Sequence, residues 1–114
     1  MNLQPLRIEA DWQVSYNQLY EIDPILGYEP YFDGSSLLML RNNIRLKLID
    51  VQWRPELDIN GEYQIQVLNF VENFNSKTNE FDTEPNWENP FLTFATKSRL
   101  ILVDKLEELL RTLP

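Results

Sequence analysis

The chain contains no cysteine and no histidine. The first absence excludes a disulfide framework, a thiolate nucleophile and a Cys-ligated zinc site. The second removes the commonest general base near neutral pH and the commonest ligand of zinc, copper and iron, leaving carboxylates, lysines, hydroxyls and tyrosines as the only catalytic options. Glycine is almost as scarce: Gly27, Gly34 and Gly61 each stand alone, so no glycine-rich phosphate loop can form. No run approaches the ~18 apolar residues of a membrane span, and Met1 to Leu6 lacks the basic and apolar regions of a signal peptide. A cytoplasmic protein with no membrane partner is expected.

Basic residues are also few. Ten Lys and Arg face 18 Asp and Glu, a formal charge of −8, and such a surface repels nucleic-acid phosphates and acidic lipid. Direct nucleic-acid binding is therefore not expected. The charge is unevenly placed: between positions 50 and 88 nine acids (Asp50, Glu56, Asp58, Glu62, Glu72, Glu80, Asp82, Glu84, Glu88) meet only Arg54 and Lys77, so this stretch carries −7 of the total. A solubilising surface is one reading and a docking surface for a basic partner is the other.

What is plentiful is apolar material, 43% of 114 residues, including Trp12, Trp53 and Trp87; this is enough for one core in one domain, residues 1–114. From Leu6 to Tyr16 apolar and polar residues alternate strictly, which predicts a strand with one buried face holding Trp12 and Tyr16. Asp23-Pro24 breaks it. Residues 27–36, with Pro30 and Asp33-Gly34, read as an irregular loop holding Tyr28 and Tyr31. Arg41-Asn42-Asn43-Ile44 predicts a tight hairpin turn, because asparagine tolerates positive φ. The strand that follows from Ile44 changes phase between Leu48 and Ile49, which predicts a β-bulge there. Pro55 ends it, Asp58-Ile59-Asn60-Gly61 turns, and Tyr63, Ile65 and Val67 resume the alternation in a hairpin joining 44–54 with 62–71.

Positions 72–90, rich in asparagine, acids and proline, read as a long loop in which Phe74, Phe81 and Trp87 are the apolar exceptions. Beyond it, Thr96 or Ser98 can cap a helix whose Leu102, Val103, Leu106, Leu109, Leu110 and Leu113 recur every three or four residues, with Asp104, Lys105, Glu107, Glu108 and Arg111 opposite. The plan is α+β: a mainly antiparallel sheet of four to five strands with a C-terminal amphipathic helix on one face.

No motif here carries catalysis. Asp50, Glu56, Asp58 and Glu62 surround a turn, yet Asp58-Ile59-Asn60-Gly61-Glu62 is only a fragment of a calcium loop, so no metal or other cofactor is expected. Paired carboxylates could act as acid and base in a deep pocket, but 18 acids in a short chain give close pairs by chance, and no enzyme is expected.

Three segments carry a family resemblance: Trp12-Gln13-Val14-Ser15-Tyr16-Asn17 with Tyr20-Glu21-Ile22-Asp23-Pro24; Val51-Gln52-Trp53-Arg54-Pro55-Glu56-Leu57-Asp58-Ile59-Asn60-Gly61-Glu62-Tyr63; and Asn89-Pro90-Phe91-Leu92-Thr93-Phe94-Ala95-Thr96 leading into the helix. In these the chain resembles small immunity proteins of bacterial polymorphic and contact-dependent toxin systems. The resemblance implies a protein that neutralises a cognate toxin and, where the toxin is a nuclease, covers its basic site with acidic side chains. It transfers no individual residue. Charge alone selects Glu56, Asp58, Glu62, Glu80, Asp82, Glu84, Trp87 and Glu88 as the contact surface, with Trp87 as an aromatic anchor. The alternative is a general adaptor that adds a partner's peptide strand to a sheet edge.

Overall fold

The computed structural model describes residues 2–33 and 36–114. Met1, and Gly34 of the expected Asp33-Gly34 turn, lie outside the described residues. Among the described residues six strands and one helix follow one another: β1 (Gln13–Asn17), β2 (Leu38–Asn42), β3 (Lys47–Arg54), β4 (Glu62–Asn75), β5 (Glu80–Pro85), β6 (Leu92–Thr96) and α1 (Arg99–Thr112), with a short 3-10 turn at Glu29–Phe32. Every strand pairing is antiparallel, in the order β1-β2-β3-β4-β5 with β6 also on β4. The chain is an α+β protein, as its periodicities predict.

The centre of the sheet is the β3–β4 hairpin, paired without interruption from Lys47↔Asn69 to Arg54↔Glu62. Its turn forms where the sequence places it. Asp58 accepts backbone hydrogen bonds from Asn60 at its side chain and from Gly61 at its carbonyl, both 2.9 Å. Gly61 is required there because a Cβ would lie 2.4 Å from the Arg54 carbonyl oxygen. Ile49, Val51 and Trp53 on β3 and Tyr63, Ile65 and Val67 on β4 point to one face, where the Trp53 ring meets Phe32 and Tyr63 at 4.6 and 4.8 Å.

Helix α1 closes that face. Ser98 caps it, its Oγ accepting from the Ile101 amide at 3.2 Å, and Leu102, Leu106, Leu109 and Leu110 are buried. A fully buried leucine contributes about 1.5–3 kcal/mol, so this stripe holds the helix far more firmly than its propensity could. Glu107 accepts from the Arg7 amide at 2.7 Å, and Trp12 donates to the Leu110 carbonyl. The N-terminal segment is thus strapped along the helix.

Several expectations are corrected. The alternating stretch from Leu6 to Tyr16 is a strand only from Gln13: a turn closed by the Trp12 amide on Glu9 precedes it, and Leu6, Ile8 and Trp12 pack onto the core from an extended segment. Val14 and Tyr16 are about half exposed, because β1 is an edge strand and neither side chain joins the core among the described residues. The bulge expected at Leu48-Ile49 is absent; β3 begins only at Lys47, and the register irregularity lies in β1 between Val14 and Tyr16. Ile44 and Leu46 belong to the turn and are exposed, while Leu48 pairs with Leu68 on the helix-free face, where both are buried. In that turn Asn42 works through its side chain, accepting from the Ile44 and Arg45 amides, and the residue at positive φ is Leu46.

The largest correction concerns 72–90. Strand β4 runs on to Asn75 and turns through Asn79, at φ 57°, into β5; only the stretch 86–91 is irregular. Backbone amides of Asn86 and Phe91 donate to Asn69 and Val67, so β5 and β6 share one edge of β4 with a looped-out excursion between them.

Candidate partner-binding surface

Beyond Asn69, β4 has no β3 partner, and with β5 it forms a two-stranded ribbon that extends past the β3–β4 pairing. Strand alternation gives a ribbon two faces of separate composition. On one, Val71, Asn73 and Asn75 stand opposite Glu84, Asp82 and Glu80. On the other, Phe70, Glu72 and Phe74 stand opposite Pro85, Thr83 and Phe81.

The acidic face is held in order by neutral partners. The Asn73 amide donates to Glu84 and the Asn75 amide to Asp82, both at 3.1 Å. Amides orient a carboxylate without cancelling its charge. Among the described residues, Glu80, Asp82, Glu84 and Glu88 take part in no ion pair, whereas Asp11, Glu56, Asp23 and Glu108 pair with Arg45, Arg54, Arg99 and Lys105. At the base of this face a cleft of about 330 Å³ is lined by Val71, Asn73, Glu84, Asn86, Trp87 and Glu88, with the Trp87 indole half exposed.

Of the eight residues chosen by charge, the fold brings five together on this face and its base: Glu80, Asp82, Glu84, Trp87 and Glu88. Glu56 and Asp58 lie on the β3–β4 turn and Glu62 at the start of β4, at the opposite end of that strand. At about 3.3 Å per residue, Glu62 and the ribbon tip are separated by roughly 40 Å. Glu62 accepts from Gln64 at 3.3 Å, and Glu56 is paired with Arg54. The continuous acidic stretch of the sequence becomes two separate patches.

Asp50 belongs to neither. It is fully buried at the centre of the helix-free face, with Oδ1 accepting from Ser36 Oγ at 2.7 Å and Oδ2 from Gln52 Nε2 at 2.6 Å. Burial pushes its pKa above the ordinary carboxylate value; the two hydrogen bonds and Arg54 only partly offset this. Asp11 is shifted the other way: the hydrogen bond from Asn42 and the nearby Arg45 hold it below the usual range. Among the described residues no three His, Cys, Asp or Glu side chains come close enough to hold a metal ion, and no helix is long and apolar enough to cross a membrane.

Sequence reasoning missed the ribbon's second face and the amides of Asn73 and Asn75. A signal was present: Glu80, Asp82 and Glu84 alternate with Phe81, Thr83 and Pro85 at period two, the same rule that located β4. Comparison with protein families, curated proteins and solved structures finds no match to this chain.

Proposed function

We propose that this chain is a binding protein that neutralises a basic protein partner, a toxin such as a nuclease, by covering it with the acidic face of the β4–β5 ribbon. The observation carrying this reading is the alignment of Glu80, Asp82 and Glu84 on one exposed face, unpaired with any cation among the described residues, next to the half-exposed Trp87. Unpaired carboxylates along a projecting arm steer a cationic partner and speed encounter, and an indole beside them supplies area to anchor it. The resemblance to immunity proteins supports the same conclusion. The charge patch at Glu56, Asp58 and Glu62 stands about 40 Å from the ribbon tip, so a partner touching both would have to run the length of β4.

The test is to capture the partner with the unaltered chain, then reverse three charges together, Glu80→Lys, Asp82→Lys and Glu84→Lys, and measure affinity for that partner. Binding should weaken at least tenfold, with the loss falling mainly on the association rate at low salt. Unchanged affinity overturns the proposal.

A second reading is peptide addition at the outer edge of β1, favoured by the exposure of Val14 and Tyr16 on a strand with one free side. The register irregularity between these residues and the five-residue length of β1 offer a peptide few consecutive hydrogen bonds. Charge reversal on the ribbon would leave this mode intact.

A further inference from the structure

The ribbon face opposite the carboxylates carries phenyl rings. Phe74 and Phe81 face each other across the strands, edge to face with centroids 5.4 Å apart, and both are more than half exposed. Four residues back on β4, Phe70 already holds a cation: the guanidinium carbon of Arg41 lies 4.5 Å from its ring centroid. Between these two aromatic positions Glu72 projects from the same face, and among the described residues it has no ion pair or hydrogen bond from any side chain.

We infer that the Phe74–Phe81 pair, with Glu72 beside it, receives an arginine side chain from the protein partner, as Phe70 receives Arg41 from this chain. This inference rests on the reading that the partner is basic, and it adds the chemistry of one contact on the other face of the ribbon. An apolar occupant fits less well. Covering the phenyl rings with apolar surface would also bury the Glu72 carboxylate without a partner, which costs several kcal/mol in general. An arginine meets both groups, its plane on a ring and its N–H groups toward the carboxylate one cross-strand pair away, roughly 7 Å along the strand. Lysine fits less well too, because an ammonium is more strongly hydrated and has no flat face to stack. The −8 charge of the chain favours a cationic occupant from any direction.

The experiment titrates the isotope-labelled full chain with two short peptides, Gly-Arg-Gly-Arg-Gly and Gly-Lys-Gly-Lys-Gly, following the ring proton shifts of Phe74 and Phe81. The arginine peptide should bind about two- to five-fold more tightly than the lysine peptide. That preference should vanish in the Phe74→Leu, Phe81→Leu double variant, which keeps apolar area but no rings, and persist in Phe81→Tyr. Equal affinity of the two peptides for the unaltered chain overturns the inference without recourse to any variant, as does a preference that survives the leucine pair. The parent proposal fails separately, if Glu80→Gln, Asp82→Asn and Glu84→Gln together leave binding of both peptides unchanged. Failure of the arginine peptide to bind overturns the inference.

Discussion

The indole Nε1 of Trp12 donates a 3.0 Å hydrogen bond to the carbonyl oxygen of Leu110, 98 residues further along the chain. That carbonyl is among the last four of α1, which have no partner inside the helix. One side chain therefore satisfies the helix end, fills the core and fixes the N-terminal segment. Trp12→Phe keeps most of the packing and loses the bond, so stability should fall by about 1–2 kcal/mol. Trp12→Ala should cost about 3–5 kcal/mol. Urea denaturation of both variants checks the ranking, and a Phe variant as damaging as Ala would assign the whole effect to packing.

Asp50 gives the chain a pH dependence of determinate sign. Its folded-state pKa is raised above 3.8 by burial, so between that value and the raised one the folded state binds more protons than the unfolded state, and Asp50 lowers stability as pH rises through that window. Above it the loss is complete and constant. Asp50→Asn keeps the acceptor for Ser36, and Gln52 can turn its amide to accept from the new one. The variant should match or exceed the parent in melting temperature at pH 7 and show a flatter decline from acidic toward neutral pH. A variant less stable at every pH would mean that the carboxylate's hydrogen bonds outweigh its desolvation.

Gly61 tests the β3–β4 turn. A methyl group there would sit 2.4 Å from the Arg54 carbonyl oxygen and 2.9 Å from Trp53 Nε1, the atom that donates to the Asp58 carbonyl at 2.8 Å. Neither the backbone nor the fully buried indole can yield cheaply. Gly61→Ala should cost about 1–3 kcal/mol, while Gly27→Ala, with nothing within 4 Å of its Cβ, meets only the strain of φ 97°. Thermal melts of the two variants compare crowding with backbone strain, and an undamaged Gly61→Ala would refute the close approach.

Much of the body was readable because its signals are local. Helix α1 was written in leucines spaced three and four apart and in Ser98, and the central hairpin in a period-two pattern broken by Pro55 and Gly61. Reading failed where exposure depended on a distant neighbour. Tyr16 alternates like a buried residue yet lies half exposed on an edge strand, and Leu48 looks out of phase until Leu68 is found opposite it. Polar composition made 72–90 look like a loop, although cross-strand pairs such as Phe74 with Phe81 and Asn73 with Glu84 hold a ribbon together.

By itself the sequence determined the acidic balance, the histidine-free and cysteine-free chemistry, the capped helix and the hairpin turn, because each follows from residue type or from neighbours within a few positions. Period-two alternation puts Glu80, Asp82 and Glu84 on one face of a strand, but what stands beside them was decided only by tertiary structure. Cross-strand register set Asn73 and Asn75 among these acids and Phe74 opposite Phe81, while pairing with β3 and β5 placed Glu56, Asp58 and Glu62 at the far end of β4 and buried Asp50 in the sheet. Register is a relation between residues far apart in the chain, and no local pattern of charge encodes it.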